Sequence, residues 1–313
     1  MKIIYFGTPV FAAEVLAYLL QHQLDIAAVI TKPDRPKGRS SALVPTPVKE
    51  IAQLKHLPIY QPEKVSAPEF APILEDYKPD LFVVVAYGEI LKQHLLEMPK
   101  IGCINLHASL LPYYRGAAPI QRAIINGESE TGITIMHMAK KMDAGDMIRV
   151  EKVSISPEIN FGELEKKLCA VGSRLLLEVI QEFKQGVITH IPQDHQLATL
   201  APKIELEECE IDWTHPALLL HNLTRGVNPY PGAWCTAFIK GQKLRLKIWK
   251  TQSVPAQGIP GQILAYGREG ILVACGQDAL LIQELQAEGK RKMTSEEFVR
   301  GIPLEHFALI SPG

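Results

Sequence analysis

Through about residue 190 the apolar positions of the chain switch repeatedly between a period of two and a period near 3.6, which predicts alternating strands and helices. Lys2-Ile-Ile-Tyr-Phe6 opens as a strand, and Phe11-Ala-Ala-Glu-Val-Leu-Ala-Tyr-Leu-Leu20 follows as a helix. Further strands are expected at Asp25 to Thr31, Leu57 to Tyr60, Leu81 to Ala86, Gly102 to His107 and Gly132 to Met138. Helices are expected at Pro47 to His56, Pro68 to Tyr77, Glu89 to Glu97, Pro119 to Asn126 and Phe161 to Lys184. The unbroken apolar run Leu81-Phe-Val-Val-Val-Ala86 fits a parallel strand covered on both faces. The pattern is that of an α/β domain with a Rossmann-like, mostly parallel sheet, in which functional groups sit just beyond the carboxyl ends of the strands.

After Gly186 the periodicity fades through Gln193-Asp-His-Gln-Leu-Ala-Thr199, then returns in a different form. A short helix pattern at Pro216 to Arg225 precedes strand patterns at Trp234 to Ile239, Leu244 to Trp249, Gly261 to Tyr266, Ile271 to Cys275 and Ala279 to Glu284. Short strands at this spacing predict a small antiparallel barrel of OB-like type. The chain of 313 residues therefore divides into a sheet domain at 1–189, a linker at 190–206 and an OB-like domain at 207–313.

Composition adds constraints. At 47% hydrophobic and 21% charged residues the chain is an ordinary globular one, not disordered or fibrous. Cys103, Cys169, Cys209, Cys235 and Cys275 are widely spaced and form no CxxC pair, so a disulfide framework or structural zinc is not expected and a reducing cytoplasm fits. No apolar run reaches the roughly 18 residues of a membrane span, and no signal peptide is read at the N-terminus. The net charge of −1 argues against nucleic acid when taken whole, but the charges are segregated. Between Trp213 and Arg268 there is no acid in 56 residues, while Arg225, Lys240, Lys243, Arg245, Lys247, Lys250 and Arg268 give +7. Lys243, Arg245 and Lys247 alternate with Leu244, Leu246 and Ile248, so one strand face is basic and the other buried. A basic barrel face suits a phosphate backbone. Lys32-Pro-Asp-Arg-Pro-Lys-Gly-Arg-Ser40 is a second basic stretch, placed in a long loop.

The chemistry concentrates in Gly102-Cys-Ile-Asn-Leu-His-Ala-Ser-Leu-Leu-Pro112. In a strand, Asn105 and His107 project to one face at the carboxyl edge of the sheet, where an amide and an imidazole polarise a carbonyl and handle an amine proton. Asp143, in the turn Lys141-Met-Asp-Ala-Gly-Asp146, follows the next strand and is expected to reach His107. With no hydroxyl or thiol nucleophile in the set, direct acyl-type transfer is the indicated chemistry. Ser109 lacks a GxSxG elbow, Cys103 reads as a core cysteine, and no histidine has HExxH or other metal-ligand spacing. The opening Phe6-Gly-Thr-Pro9 lacks the GxGxxG of a dinucleotide site.

Asn105-Leu-His-Ala-Ser-Leu-Leu-Pro112, Arg115-Gly-Ala-Ala-Pro-Ile-Gln-Arg122, Glu130-Thr-Gly-Ile-Thr-Ile135 and Asp143-Ala-Gly-Asp146 together resemble the folate-dependent formyltransferases. Phe6-Gly-Thr-Pro9 and Asn228-Pro-Tyr-Pro-Gly-Ala-Trp234 resemble the members of that family that act on methionyl-tRNA. The resemblance runs almost end to end. It implies formyl transfer from 10-formyltetrahydrofolate to the α-amine of methionyl initiator tRNA, with Asn105, His107 and Asp143 as the catalytic set and no metal. It also implies that Ser109, Leu110, Leu111 and Pro112 contact the folate, and that Arg39, in the loop that approaches the acceptor stem, contacts the tRNA. Ser40 and Ser41 stand where some relatives carry lysines. Lys243, Arg245 and Lys247 are the barrel's tRNA contacts on this reading. Two alternatives stay open: a formyltransferase for an amino-sugar nucleotide or purine precursor, and a non-catalytic RNA-binding protein.

Overall fold

A computed structural model describes residues 1–36 and 42–310, so Arg39, with its two following serines, lies outside the described residues. The chain forms two compact units, one made of Met1–Pro119, Thr131–Ser154 and Glu165–Ala201, the other of Ile120–Glu130, Ile155–Leu164 and Pro202–Gly313.

The first unit is built on β1 (Ile3–Gly7), α1 (Val10–Gln21), β2 (Ile26–Ile30), the two-residue hairpin strands β3 (Arg35–Pro36) and β4 (Leu43–Val44), α2 (Pro47–Leu54) and β5 (Ile59–Tyr60). It continues with α3 (Ala71–Glu75), β6 (Leu81–Val85), α4 (Gln93–Leu96) and β7 (Gly102–His107). Next in the chain come α5 (Pro119–Ile125), which from Ile120 belongs to the second unit, then β8 (Glu130–His137), β9 (Met147–Ser154) and the long helix α6 (Phe161–Lys184). The sheet order is β5-β2-β1-β6-β7-β8-β9, parallel from β5 to β7 and antiparallel between β7 and β8. Every residue of β1 and β6 is buried, as their unbroken apolar runs require, and each large aliphatic side chain among them stabilises the fold by about 1.5–3 kcal/mol. The order of strands reverses between β1 and β6, which opens a crevice at their carboxyl ends. Thr8 Oγ1 donates to the Tyr87 carbonyl at 2.9 Å and ties the two loops that leave those strands.

Sequence periodicity misses β9 because its apolar positions change phase. Ile148 is buried, Val150 is exposed, and Val153 is buried again on the odd register. Helices α3 and α4 are shorter than the patterns at Pro68 to Tyr77 and Glu89 to Glu97.

In the second unit, helix α7 (Ala217–Gly226) precedes β10 (Ala233–Ile239), β11 (Gln242–Val254), β12 (Ile263–Gly267), β13 (Gly270–Ala274), β14 (Ala279–Ala287), β15 (Met293–Thr294), α8 (Ser295–Gly301) and β16 (Phe307–Ile310). The strands form an antiparallel half-barrel in the order β12-β13-β14-β11-β10-β16, with β15 on β14. Trp213, Ile211, Leu246, Ile248, Val273, Ile282 and Leu285 fill its interior. Helix α8 carries a reciprocal capping box, Thr294 with Glu297, a signal legible in Thr-Ser-Glu-Glu297 that the strand pattern overlooks.

Candidate active site

Strand β7 places the first two residues. Ile104 and Leu106 are buried on one side, and Asn105 and His107 project from the other at the carboxyl end of the strand. Asn105 is half-buried, and among the described residues its side-chain amide makes no hydrogen bond. His107 is 6% exposed. Its Nε2 lies 2.9 Å from the Tyr114 carbonyl, and since a carbonyl only accepts, that nitrogen carries the hydrogen. Nδ1 faces Asp143 Oδ2 at 3.7 Å, so the ring lies between two acceptor oxygens. The expected approach of Asp143 to His107 is therefore present in the structure.

Asp143 reaches this position in the left-handed region, with φ at 50°, in the loop between β8 and β9. Its Oδ2 accepts the Gly116 backbone N–H at 2.9 Å. Gly116 itself has φ at 128°, and a Cβ there would meet the Ala201 carbonyl oxygen at 2.6 Å, so only glycine presents its N–H from this point. The loop after β7 is thus the scaffold of the site: Tyr114 holds His107 and Gly116 holds Asp143.

Ser109, Leu110, Leu111 and Pro112 lie in that loop. Ser109 is fully buried, and its hydroxyl donates to the Tyr113 carbonyl at 2.6 Å, closing the turn. Leu111 is buried with its N–H on Thr134 Oγ1, and the Leu111–Pro112 peptide is cis. Cys103 is a core residue whose Sγ packs on the Leu95 and Leu96 carbonyls; burial pushes its thiol far above the usual range.

Of the basic loop, Lys32 pairs with Glu89 and Arg35 with Glu63, while Asp34 takes Lys49 and Gln61 as partners. The Lys49 hydrogen bond holds the Asp34 carboxyl below its ordinary value. In the second unit, β11 shows the expected alternation: Leu246 and Ile248 are buried, Lys243 and Arg245 are exposed, and Lys247 is half-buried. Arg245 stacks on Trp234 at 4.0 Å, and Lys247 and Lys292 approach the Trp249 ring at 5.4 and 5.9 Å. Periodicity does not announce these aromatic partners, which stand one strand over or two residues on.

The comparison with known proteins extends over the whole chain. Residues 1–180 match the formyl transferase family and residues 203–303 match the formyl transferase C-terminal domain. A methionyl-tRNA formyltransferase of Protochlamydia amoebophila is 61% identical, covering 96% of this chain and 95% of the relative. The chain belongs to the methionyl-tRNA formyltransferase family. Another member, from Chlamydia abortus, is 47% identical over 96% of this chain and 95% of its own length. Among solved structures, HypX from Aquifex aeolicus in complex with tetrahydrofolic acid shares the fold, with a TM-score of 0.65 and 17% identity over 96% of this chain and 48% of HypX. Family membership assigns a reaction but no side chain, so the roles of Asn105, His107 and Asp143 rest on the geometry just described. No helix among the described residues is long and apolar enough to cross a membrane.

Proposed function

We propose that the protein formylates methionyl initiator tRNA in the cytoplasm, with Asn105, His107 and Asp143 as the catalytic set. The reaction is that of the family: the formyl group of 10-formyltetrahydrofolate passes to the α-amine of methionine on the tRNA. The observation that carries the residue assignment is the convergence of a half-buried, unpartnered amide with a buried imidazole backed by a carboxylate at 3.7 Å.

Attack of the amine on the formyl carbon places negative charge on the formyl oxygen. The Asn105 NH₂ and the His107 Nε2–H supply donors to that oxygen, the latter by exchanging the Tyr114 carbonyl for the substrate. One such donor is worth about 10²–10³ in rate in comparable sites. The charged His107 ring gives its Nε2 proton to the departing folate nitrogen and takes back the one that the attacking amine loses, while Asp143 supports the charged form. Asp143 keeps its place through Gly116 N–H and does not move with the ring. Transfer is direct, with no covalent enzyme intermediate.

The second unit supplies the grip on RNA in this reading. Lys243 and Arg245 present charge to the phosphate backbone, with Lys247 beside them held on the Pro231 carbonyl, and Arg39 is a further tRNA contact implied by the family resemblance. The test is an incubation with 10-formyltetrahydrofolate and either methionyl initiator tRNA or methionyl elongator tRNA. Formylmethionine forming on the initiator alone is the expected result. Equal formylation of both, or its persistence at full rate in an Asn105→Ala, His107→Ala double variant, overturns the corresponding part of the assignment.

A further inference from the structure

Gln193 comes from the stretch between residues 190 and 206 that has no periodicity, yet it is 6% exposed and uses its whole side-chain amide. Its Oε1 accepts Arg115 Nε at 3.2 Å and Arg115 Nη2 at 2.6 Å. Its Nε2 donates to the Asp143 carbonyl at 3.0 Å and the Gly145 carbonyl at 2.7 Å. A carboxamide has two acceptor sites and two N–H groups, so all of its hydrogen-bonding capacity is spent. The acceptors go to the loop after β7, and the donors go to the loop between β8 and β9.

We propose that Gln193 is a positioning residue for formyl transfer, locking the Asp143 loop onto the loop that holds His107. The inference rests on the catalytic reading of His107 and Asp143. Asp143 is anchored at two points, its carboxylate on Gly116 N–H and its carbonyl on Gln193, and that pair of bonds fixes both the site and the direction of the carboxylate. The opposite loop is clamped by the same segment. Arg115 N–H donates to the Thr199 carbonyl at 2.9 Å, Tyr114 N–H to Thr199 Oγ1 at 2.9 Å, and Ala201 N–H to the Arg115 carbonyl at 2.7 Å. The Tyr114 carbonyl that receives His107 Nε2–H therefore sits on a strapped piece of backbone. Arg115 is 3% exposed, and among the described residues its side chain otherwise bonds only His195 Nδ1 at 2.9 Å, which accepts because guanidinium cannot. Its charge is thus met by neutral acceptors, chief among them Gln193.

The chemistry of the amide dictates the test. Gln193→Glu keeps the oxygen that Arg115 needs and strengthens it, but sets a carboxylate oxygen against two carbonyls. Gln193→Met removes both ends. Kinetics are measured with methionyl-tRNA and 10-formyltetrahydrofolate, in the wild-type and in an Asp143→Asn background, at enzyme excess where rates are low. We expect both variants to lose roughly 30–100-fold in kcat with KM for either substrate within about twofold, since an ångström of misplacement costs on that order. In the Asp143→Asn background the same substitutions are expected to cost less than about threefold, the non-additivity of residues that act as a unit. If Gln193→Met does not fold, Gln193→Glu decides alone. A Gln193→Glu enzyme at wild-type kcat, or an undiminished loss in the Asp143→Asn background, overturns the proposal. Full activity of Asp143→Asn by itself would instead remove the catalytic reading beneath it.

Discussion

Gly145 offers the sharpest test of how the Asp143 loop is built. An added Cβ at this position would lie 1.9 Å from the His137 carbonyl oxygen and 2.9 Å from its carbon, where real Cβ contacts under 3.0 Å essentially never occur. Gly145→Ala therefore demands a relative shift of about 1 Å, and the two sides are not equally able to give. His137 ends β8, where its N–H donates to the Asp146 carbonyl at 2.8 Å and Thr134 to His137 pair with β7. The turn carrying Asp143 and Gly145 lies outside the strands, so it is the side expected to move. That motion lengthens the 2.7 Å bond from Gln193 and draws Asp143 away from the Gly116 N–H. Overpacking of this kind costs about 1–3 kcal/mol of stability, and a misplacement of about 1 Å costs on the order of 10²-fold in rate. The assay is kcat/KM for methionyl-tRNA at saturating 10-formyltetrahydrofolate beside thermal unfolding of the same preparation. Gly267→Ala is the control, because no heavy atom lies within 4 Å of its added Cβ. Gly145→Ala folded and within twofold of wild-type activity would refute the claim that this close approach sets the carboxylate.

Asp143→Asn keeps an oxygen for the Gly116 N–H but removes the charge beside His107; we expect kcat for methionyl-tRNA to fall by about 10²–10⁴-fold, with KM little changed. Lys243→Glu is expected to raise the tRNA dissociation constant and to lower the slope of log affinity against log salt by about one; an unchanged slope in a filter-binding titration places that side chain off the RNA. His221 is buried, with Nδ1 on Thr251 Oγ1, and burial followed by the Arg225 charge depresses its pKa below 6.5. Its neutral form is the folded one, so its stabilisation is complete above about pH 6.5 and is lost as the unfolded state binds a proton that the native state does not. Urea unfolding from pH 7 to 5.5 should show a decline that His221→Gln reduces, by no more than ~1.4 kcal/mol per pH unit for one proton; an identical decline in the variant would contradict the assignment.

Legibility in the sequence followed the physics of each feature. Asn105 and His107 stand two apart on a strand, so a period of two was enough to put them on one face. Asp143 was only partly legible: β8 is antiparallel to β7 and ends opposite Ile104, so the loop after it has to fold back to set Asp143 beside His107. The half-barrel was visible as short strands, but β11 runs past Trp249 to Val254, beyond the point at which the pattern stops. The cause is a register shift between Ile248 and Thr251: inward positions are even at Leu246 and Ile248 and odd at Thr251, which is 2% exposed. Gln193 was invisible for a different reason. A polar residue that satisfies four partners distant in sequence leaves no periodic trace, and its segment reads as a loop whether it is slack or strapped.

Charge is where the structure refines the sequence most. The +7 between Trp213 and Arg268 overstates what RNA can meet, because three of the cations have other employment. Arg225 is 8% exposed and donates to the Ile159 carbonyl and Asn222 Oδ1. Arg268 pairs with Glu296, and Lys247 donates to the Pro231 carbonyl at 2.8 Å while lying over Trp249. The acids just before the basic strand are also engaged: Glu208 forms a two-point pair with Arg122 that holds its carboxyl below the usual range, and Asp212 caps Thr214. Lys240, Lys243, Arg245 and Lys250 remain, and among the described residues none of their side chains makes an ion pair or a hydrogen bond. Arg245 is the best placed of them, since stacking on Trp234 fixes the guanidinium plane while leaving its N–H edges for phosphate oxygens. Four phosphate contacts correspond to a salt slope of roughly −3 to −4, against about −5 to −6 if all seven cations counted. On the proposed reading, a face of that modest strength holds a tRNA without discriminating among tRNAs, so selection of the methionyl initiator has to come from elsewhere than the charge of this strand.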